Sequence, residues 1–336
     1  MRQNKFLFMA LVVVVVAVFT AGFTARSKPH YVTWRSLEPD VWASIWLIKT
    51  HIDPDAKISL LPPGSEITSG IAFGVPESRY RRDRQSSAFE KLLSRLKTDN
   101  PDLSRMGALI TSLESLSWSA TEDPLPPVVE AVYRRLQERF DRDYVPATCY
   151  GQFFSEVYGG VAERATPDAM MAALSEFLEQ AESDCQWEGA YAGGGMLDSR
   201  HGQIDLLPVE SVLEAIDTGK KVVFVDTRET GEYDAGHIPG AINLKLRDVD
   251  KMTAAPLMNA DIVVSYCLKD FRGYEVARKL KQYGVSGAVT MSPHGLVGWH
   301  ALGLPTATAK NEELAAQALT ACAGNVDGCM KKKEAP

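Results

Sequence analysis

Histidine and cysteine are scarce in this chain, six and five residues among 336. They are also scattered, with no CxxC, no HxxxH and no His/Cys cluster, so no metal site is expected. Basic charge is short as well. With 36 Lys and Arg against 43 Asp and Glu, the net charge of −7 argues against a general nucleic-acid binder. No internal repeat or low-complexity tract signals a solenoid or a disordered array, and no cofactor is expected.

What is present suits a globular protein, at 45% hydrophobic and 24% charged residues. The length leaves room for two domains after a targeting segment. That segment is residues 1–28. Arg2 and Lys5 precede Phe6 to Phe23, an uncharged run whose length lies between a signal-peptide core and a minimal spanning helix. Thr20-Ala21-Gly22 is an indifferent cleavage site, and Phe23-Thr24-Ala25 puts a bulky residue in the wrong place. An uncleaved anchor through residues 6–23 is therefore expected, holding the body on the periplasmic side of the inner membrane. Cleavage and release to the periplasm is the alternative. In an exported chain, Cys322 with Cys329 and Cys149 with Cys185 could pair and leave Cys267 as the odd thiol, although sequence leaves the connectivity open.

Residues 30–186 read as an α-rich α+β domain. Strands are expected at His30–Trp34 and Lys57–Leu61. Helical apolar spacing runs over Pro39–Ile52, Ala88–Lys97, Leu103–Leu116, Val128–Phe140 and Pro167–Ala181. Trp42 and Trp46, four apart on the first of these helices, suit a core. Arg79, Arg81, Arg82 and Arg84 fall within six positions; they are either a solvated basic loop or an oxyanion site for chromate or sulfate. Tyr31 to Pro62, with Trp46, Leu47, Ile48, Ile52, Asp53, Pro54 and Ala56, resembles the opening of the chromate-resistance exported protein family. Where relatives of that family tend to carry a His and a Cys, this chain has SRYRRDRQSSAFE, which puts redox or metal chemistry there in doubt.

Residues 187–203 are glycine-rich and aperiodic, and read as a linker. In residues 204–306 a helix is expected at Leu206–Thr218, and the organising stretch is VVSYCLKDFRGYEVARKLK, from Val263 to Lys281. A buried strand ends at Cys267, a tight loop follows, and an amphipathic helix with Val276, Ala277, Leu280 and Tyr283 on one face comes next. The first turn of that helix and the loop amides favour thiolate over thiol at Cys267. A lone cysteine at a strand end, taken in isolation, is more often inert packing. Residues 307–336 form a tail with a helix over Asn311–Ala321.

Asp226, Arg228, Glu232 and Tyr233, the turn Gly236 to Ala241, Cys267, Arg272, and Gly298 with Trp299 stand in an order and spacing that resembles the rhodanese (sulfurtransferase) domain. The resemblance implies an α/β fold, a parallel sheet flanked by helices with the cysteine at the carboxyl end of a central strand. It implies that Cys267 takes sulfane sulfur from a small donor and passes it, as a persulfide, to a thiol or other thiophilic acceptor. Lys269 and Arg272 would meet the donor, with Leu268, Asp270, Phe271 and Gly273 shaping its cradle. Related dual-specificity phosphatases place five residues between Cys and Arg, and this chain places four, Leu268 to Phe271, which favours attack on sulfur. Glu232 stands where thiosulfate enzymes carry a second arginine, so the donor need not be thiosulfate. Asp270 stands where many relatives have Gly. Arg228 and Glu232 are expected to form a structural ion pair, and His237 to be structural. Two functions follow: a sulfurtransferase linked to chromate or oxyanion stress, or a non-catalytic oxyanion-binding or redox-sensing protein that uses the rhodanese-like domain for docking.

Overall fold

A computed structural model describes residues 29–83, 85–114, 123–142, 145–181, 185 and 204–330. The anchor at residues 6–23, the linker at 187–203 and Arg84 lie outside the described residues. Among the described residues, no helix is long and apolar enough to cross a membrane.

The first half is built on β1 (His30–Trp34), flanked in parallel by β2 (Lys57–Leu61) and β3 (Ile71–Ala72). α1 (Pro39–Leu47) is buried at every position, with its two polar side chains, Asp40 and Ser44, hydrogen-bonded inside. Proline in its first turn matches the helix start, where an N–H has no intrahelical partner. Beyond Leu47 the expected helix widens into a π-helical turn over Ile48–Ile52. Around α1 stand α2 (Ala88–Leu93), α3 (Pro101–Glu114), α4 (Leu125–Arg139), α5 (Ala147–Glu163) and α6 (Pro167–Gln180). α5 lies outside the helices expected from sequence. Tyr150, Phe153, Phe154, Val157 and Val161 recur there at helical spacing, diluted by Gly151, Gly159 and Gly160. Trp42 stacks on Tyr150 at 4.2 Å between ring centroids, so the paired tryptophans are core. Asp40, buried in α1, accepts hydrogen bonds from Ala88 N (2.7 Å) and Phe89 N (2.9 Å), and so caps α2 from another helix.

The second half carries a parallel sheet in the order β4-β8-β7-β5-β6: β4 (Leu206–Pro208), β5 (Val222–Asp226), β6 (Ile242–Asn243), β7 (Ile262–Tyr266) and β8 (Ala288–Ser292). Its helices are α7 (Val209–Asp217), α8 (Thr230–Ala235), α9 (Lys251–Ala254), α10 (Phe271–Gln282), α11 (Gly295–Ala301), α12 (Glu312–Ala323) and α13 (Val326–Cys329). The helix expected at Leu206–Thr218 thus begins as an edge strand, because Leu206 to Pro208 pair with Thr290 to Ser292. Strand alternation divides the sheet's two faces. Val225 and Val263 share a core with α10 and the first half, whereas Phe224, Val264 and Tyr266 pack with α7, α11 and α12. Tyr133 of α4 meets Phe271 of α10 edge-on at 5.9 Å. The two halves are therefore joined by an apolar seam.

Disulfides join Cys149 to Cys185 and Cys322 to Cys329, and Cys267 is the free, buried cysteine.

Candidate active site

Four β-branched or aromatic residues among five, with Ser265 the exception, carry β7 through the centre of the sheet, buried from Val263 to Tyr266. At its carboxyl end the chain turns through Cys267, Leu268, Lys269 and Asp270 into α10. Carboxyl ends of central strands are where open α/β sheets hold ligands. Asp270 adopts φ 77°, the left-handed region that aspartate tolerates better than most residues and that the tight turn requires. Gly273 lets the first turn of α10 rest on the strand, since a Cβ there would stand 2.8 Å from Tyr266 Cα. Gly295, at φ 64°, does the same from the other side, with its virtual Cβ 2.4 Å from Leu268 O. Leu296 N and Val297 N then donate to the carbonyls of Cys267 (2.9 Å) and Leu268 (3.0 Å). The loop's carbonyls are thus tied to α11.

Cys267 is 3% exposed. Burial pushes its thiol above the ordinary cysteine value; Arg272 and the Gly273 N–H act against that push, while Asp270 and Glu38 add to it. The structure corrects the expectation of a resting thiolate. Taking the sulfur out of water outweighs the helix terminus and the arginine together.

Every charged side chain of the loop is held by the first half. Lys269 Nζ lies 2.6 Å from Glu130 Oε2, Arg142 Nη1 3.1 Å from Asp270 Oδ2, and Arg272 Nε 3.1 Å from Glu38 Oε1. Arg134 donates to Lys269 O (2.7 Å) and lies 4.6 Å from the Phe271 ring centroid. Of the residues singled out as a donor cradle, Leu268 and Arg272 line a cavity, whereas Asp270 and Phe271 are buried in the seam and Gly273 is packed on Tyr266.

That cavity, about 910 Å³, opens between the halves. Trp34, Glu38, Arg82 and Glu114 line it from one side, and Thr227, Glu232, Leu268 and Arg272 from the other. Arg82 bridges Glu38, at 2.8 Å, and Glu114. Burial pushes the Glu114 carboxyl up to about 7 and the Asp40 carboxyl behind it up to about 6, against the pull of Arg82 on the first and of the Ala88 and Phe89 amides on the second. Of the segment's described arginines, two line the cavity and one does not. Arg82 points into the cavity, Arg81 lies exposed at its rim, and Arg79 stands over the Tyr80 ring at 5.7 Å.

Arg228 is buried against Asp226 (Nη2 to Oδ2, 2.6 Å) and donates to Gly236 O, so its ion-pair partner is Asp226 rather than Glu232. Glu232 instead closes a capping box with Glu229 and lies 3.8 Å from Arg272. His237 stacks on Tyr233 at 3.7 Å and reaches Glu312 Oε2 at 2.9 Å, a structural setting. Glu38, Glu114, Glu130, Arg134 and Arg142 carry no sequence signal for this site, because they reach it only through the docking of the halves. Thr227 was within reach, lying between Asp226 and Arg228.

Residues 31–160 match the family model described as ChrB, C-terminal domain, and residues 209–302 match the Rhodanese-like domain. The chain is 27% identical over 107 residues to the candidate sulfur carrier protein YrkF of Bacillus subtilis (strain 168), covering 32% of this chain and 57% of YrkF. It spans 57% and 63% of the length of two curated relatives that it matches. Among solved structures, the solution NMR structure of the Rhodanese-like domain from the Anabaena sp. Alr3790 protein gives a TM-score of 0.28 at 21% identity, over 32% of this chain and 82% of that one. A thiosulfate sulfurtransferase from Pseudomonas aeruginosa gives 0.29 at 13% identity, over 84% and 64%.

Proposed function

We propose that the protein is a sulfurtransferase, with Cys267 as the residue that accepts sulfane sulfur from a small donor and yields it to a thiol or other thiophilic acceptor. The observation that carries this reading is a single free cysteine at the carboxyl end of the central strand, in a loop closed by Arg272, while the other cysteines are paired. The Rhodanese-like match over 209–302 supports sulfur-transfer chemistry in that half. The ChrB match over 31–160 supports a link to chromate or oxyanion stress. Export, with an inner-membrane anchor at residues 6–23 and the body in the periplasm, completes the proposal, and paired cysteines accord with an oxidising compartment.

Chemically, the buried thiol needs its proton removed as the donor arrives. Arg272 and the Gly273 amide are placed to stabilise the sulfur anion that forms. Incubation with thiosulfate or a persulfide donor followed by intact mass measurement is expected to show one added sulfur on Cys267, and none in Cys267→Ser. A folded protein that takes sulfur from no donor defeats the reading. The second reading, a non-catalytic oxyanion-binding or redox-sensing protein, draws on the raised thiol and on the loop charges being occupied by the first half. It expects reversible oxidation of Cys267 without sulfur loading.

A further inference from the structure

The cavity between the halves is larger than an inorganic donor requires. At about 910 Å³ it falls in the range that holds an organic ligand. Thr227 lines it, is 1% exposed, and its Oγ1 has no hydrogen-bond partner. A buried hydroxyl left unpaired is unfavourable.

The charges around the inner end do not balance. Glu38, Glu114 and Glu232 share Arg82 and Arg272, and both guanidiniums meet on the same atom, Glu38 Oε1, at 2.8 and 3.1 Å. Asp40, whose N–H donates to Glu114 Oε1 at 3.2 Å, adds a further carboxyl behind them. Burial is the main cause of the raised Asp40 and Glu114 carboxyls, and Glu38 adds to it for both, against the pull of Arg82. Arg272, the cation that would receive an anionic donor, is already ion-paired with Glu38 at 3.1 Å and lies 3.8 Å from Glu232, with its Nε in no hydrogen bond. A dianion entering here has to displace Glu38 and then face the remaining carboxylates. An ammonium supplies the missing positive charge. At the outer end Arg247 is taken up bidentately by Glu229, at 2.7 and 2.9 Å, while Arg35, Arg81 and Lys245 line the cavity beside Glu77 and Asp83.

We infer that this cavity is the donor site, and that Glu38, supplied by the first half, sets the donor class: an organic thiol persulfide bearing an ammonium group, in preference to a dianion such as thiosulfate. The inference rests on the sulfurtransferase reading. Cys267 does not itself line the cavity; Leu268, the next residue, does, so the donor reaches the sulfur only when that part of the lining moves. The sulfur of Cys267 then attacks the terminal sulfur of R–S–SH and the donor's S–S bond breaks. The departing R–S⁻ takes up the proton that the Cys267 thiol gave up, leaving Cys267–S–SH and R–SH with no net oxidation. Glu38 acts as a specificity-determining residue, matching the ammonium and keeping Arg272 from an anion.

The test uses the full-length protein and three donors at equal concentration: cysteamine persulfide, 3-mercaptopropionate persulfide and thiosulfate. The rate of one-sulfur gain on Cys267 is followed by intact mass. The ammonium-bearing persulfide is expected to load about tenfold faster than the carboxylate-bearing one, with thiosulfate slowest. Glu38→Gln is expected to shrink that ratio about tenfold. Because Glu38 also flanks α1, a second measurement keeps the wild type alone: ethylammonium should slow loading by cysteamine persulfide, and acetate should not. Equal or reversed donor rates in the wild type overturn the inference while leaving sulfur transfer standing, as does an unchanged ratio in folded Glu38→Gln. Loading from no donor removes sulfur transfer itself, and this inference with it.

Discussion

The arginine segment at 79–84 and the loop at 267–272 both crowd charge into six positions, and the fold uses them in opposite ways. Along the first, the side chains diverge: Arg79 over Tyr80, Arg81 to the rim, Arg82 into the cavity. Along the second, Lys269, Asp270 and Arg272 each find an opposite charge on the first half. Local density of charge therefore says little about a site. What counts is whether another element brings partners to the same place, and here that element is a second domain.

The contrast can be broken within the arginine segment itself. Arg82→Ala is expected to have the largest effect, lowering stability by about 2 to 3 kcal/mol, because it strips Glu114 of its guanidinium and leaves Glu38 with Arg272 alone. A shift in urea midpoint at constant slope would measure it.

The buried acids make the next largest difference, and their sign is set by raised pKa values. Asp40 and Glu114 hold protons in the folded chain up to about 6 and about 7, above their unfolded values of 3.8 and 4.5. Their contribution is complete below the unfolded values and is lost as pH rises through the folded ones. Glu130 and Glu232 run the other way. Burial works to raise them, yet Arg134 and Lys269 hold Glu130 below its ordinary value, and Arg272 and Arg82 do so for Glu232. Their contribution is present at neutral pH and fades in acid. Stability at about pH 5.5 is expected to exceed that at about pH 8 by on the order of 2 kcal/mol, and Glu114→Gln should flatten the difference. Denaturant titrations at the two pH values supply the comparison.

Glu130→Gln sharpens the contrast from the other loop. It is expected to cost about 1 kcal/mol, as fits a partly exposed pair, and to leave Lys269 more reactive toward amine-labelling reagents read by peptide mass. Smallest of all, Arg79→Ala should stay within about 0.5 kcal/mol of the wild type, since it removes only an exposed contact with a tyrosine ring. A larger shift in a thermal melt would show that Arg79 is held by more than that ring.

Much of the fold was legible. The strands at His30–Trp34 and Lys57–Leu61 are found at the expected bounds, because short β-branched runs between polar breaks have little else to do. The left-handed Asp270 and the Arg272 closure follow from a four-residue loop between a strand and a helix. Leu206–Pro208 misled, since three residues at a sheet edge carry no period of their own and become a strand only beside β8. Arg228 misled for a related reason. Helical spacing suggested Glu232, but Asp226 at the end of β5 offers both carboxylate oxygens within the same buried turn.

The residue order by itself determined that a lone sulfur would stand at the end of a buried strand, with an arginine five positions on to close its loop. Local geometry decides such matters, and strand, turn and helix patterns encode local geometry. Whether that sulfur rests as thiol or thiolate, and which charges stand beside it, only the tertiary structure decided. Desolvation and ion pairing depend on what surrounds a group, and the acids that pair with this loop, Glu38 and Glu130, stand 229 and 137 positions before Cys267 in the chain.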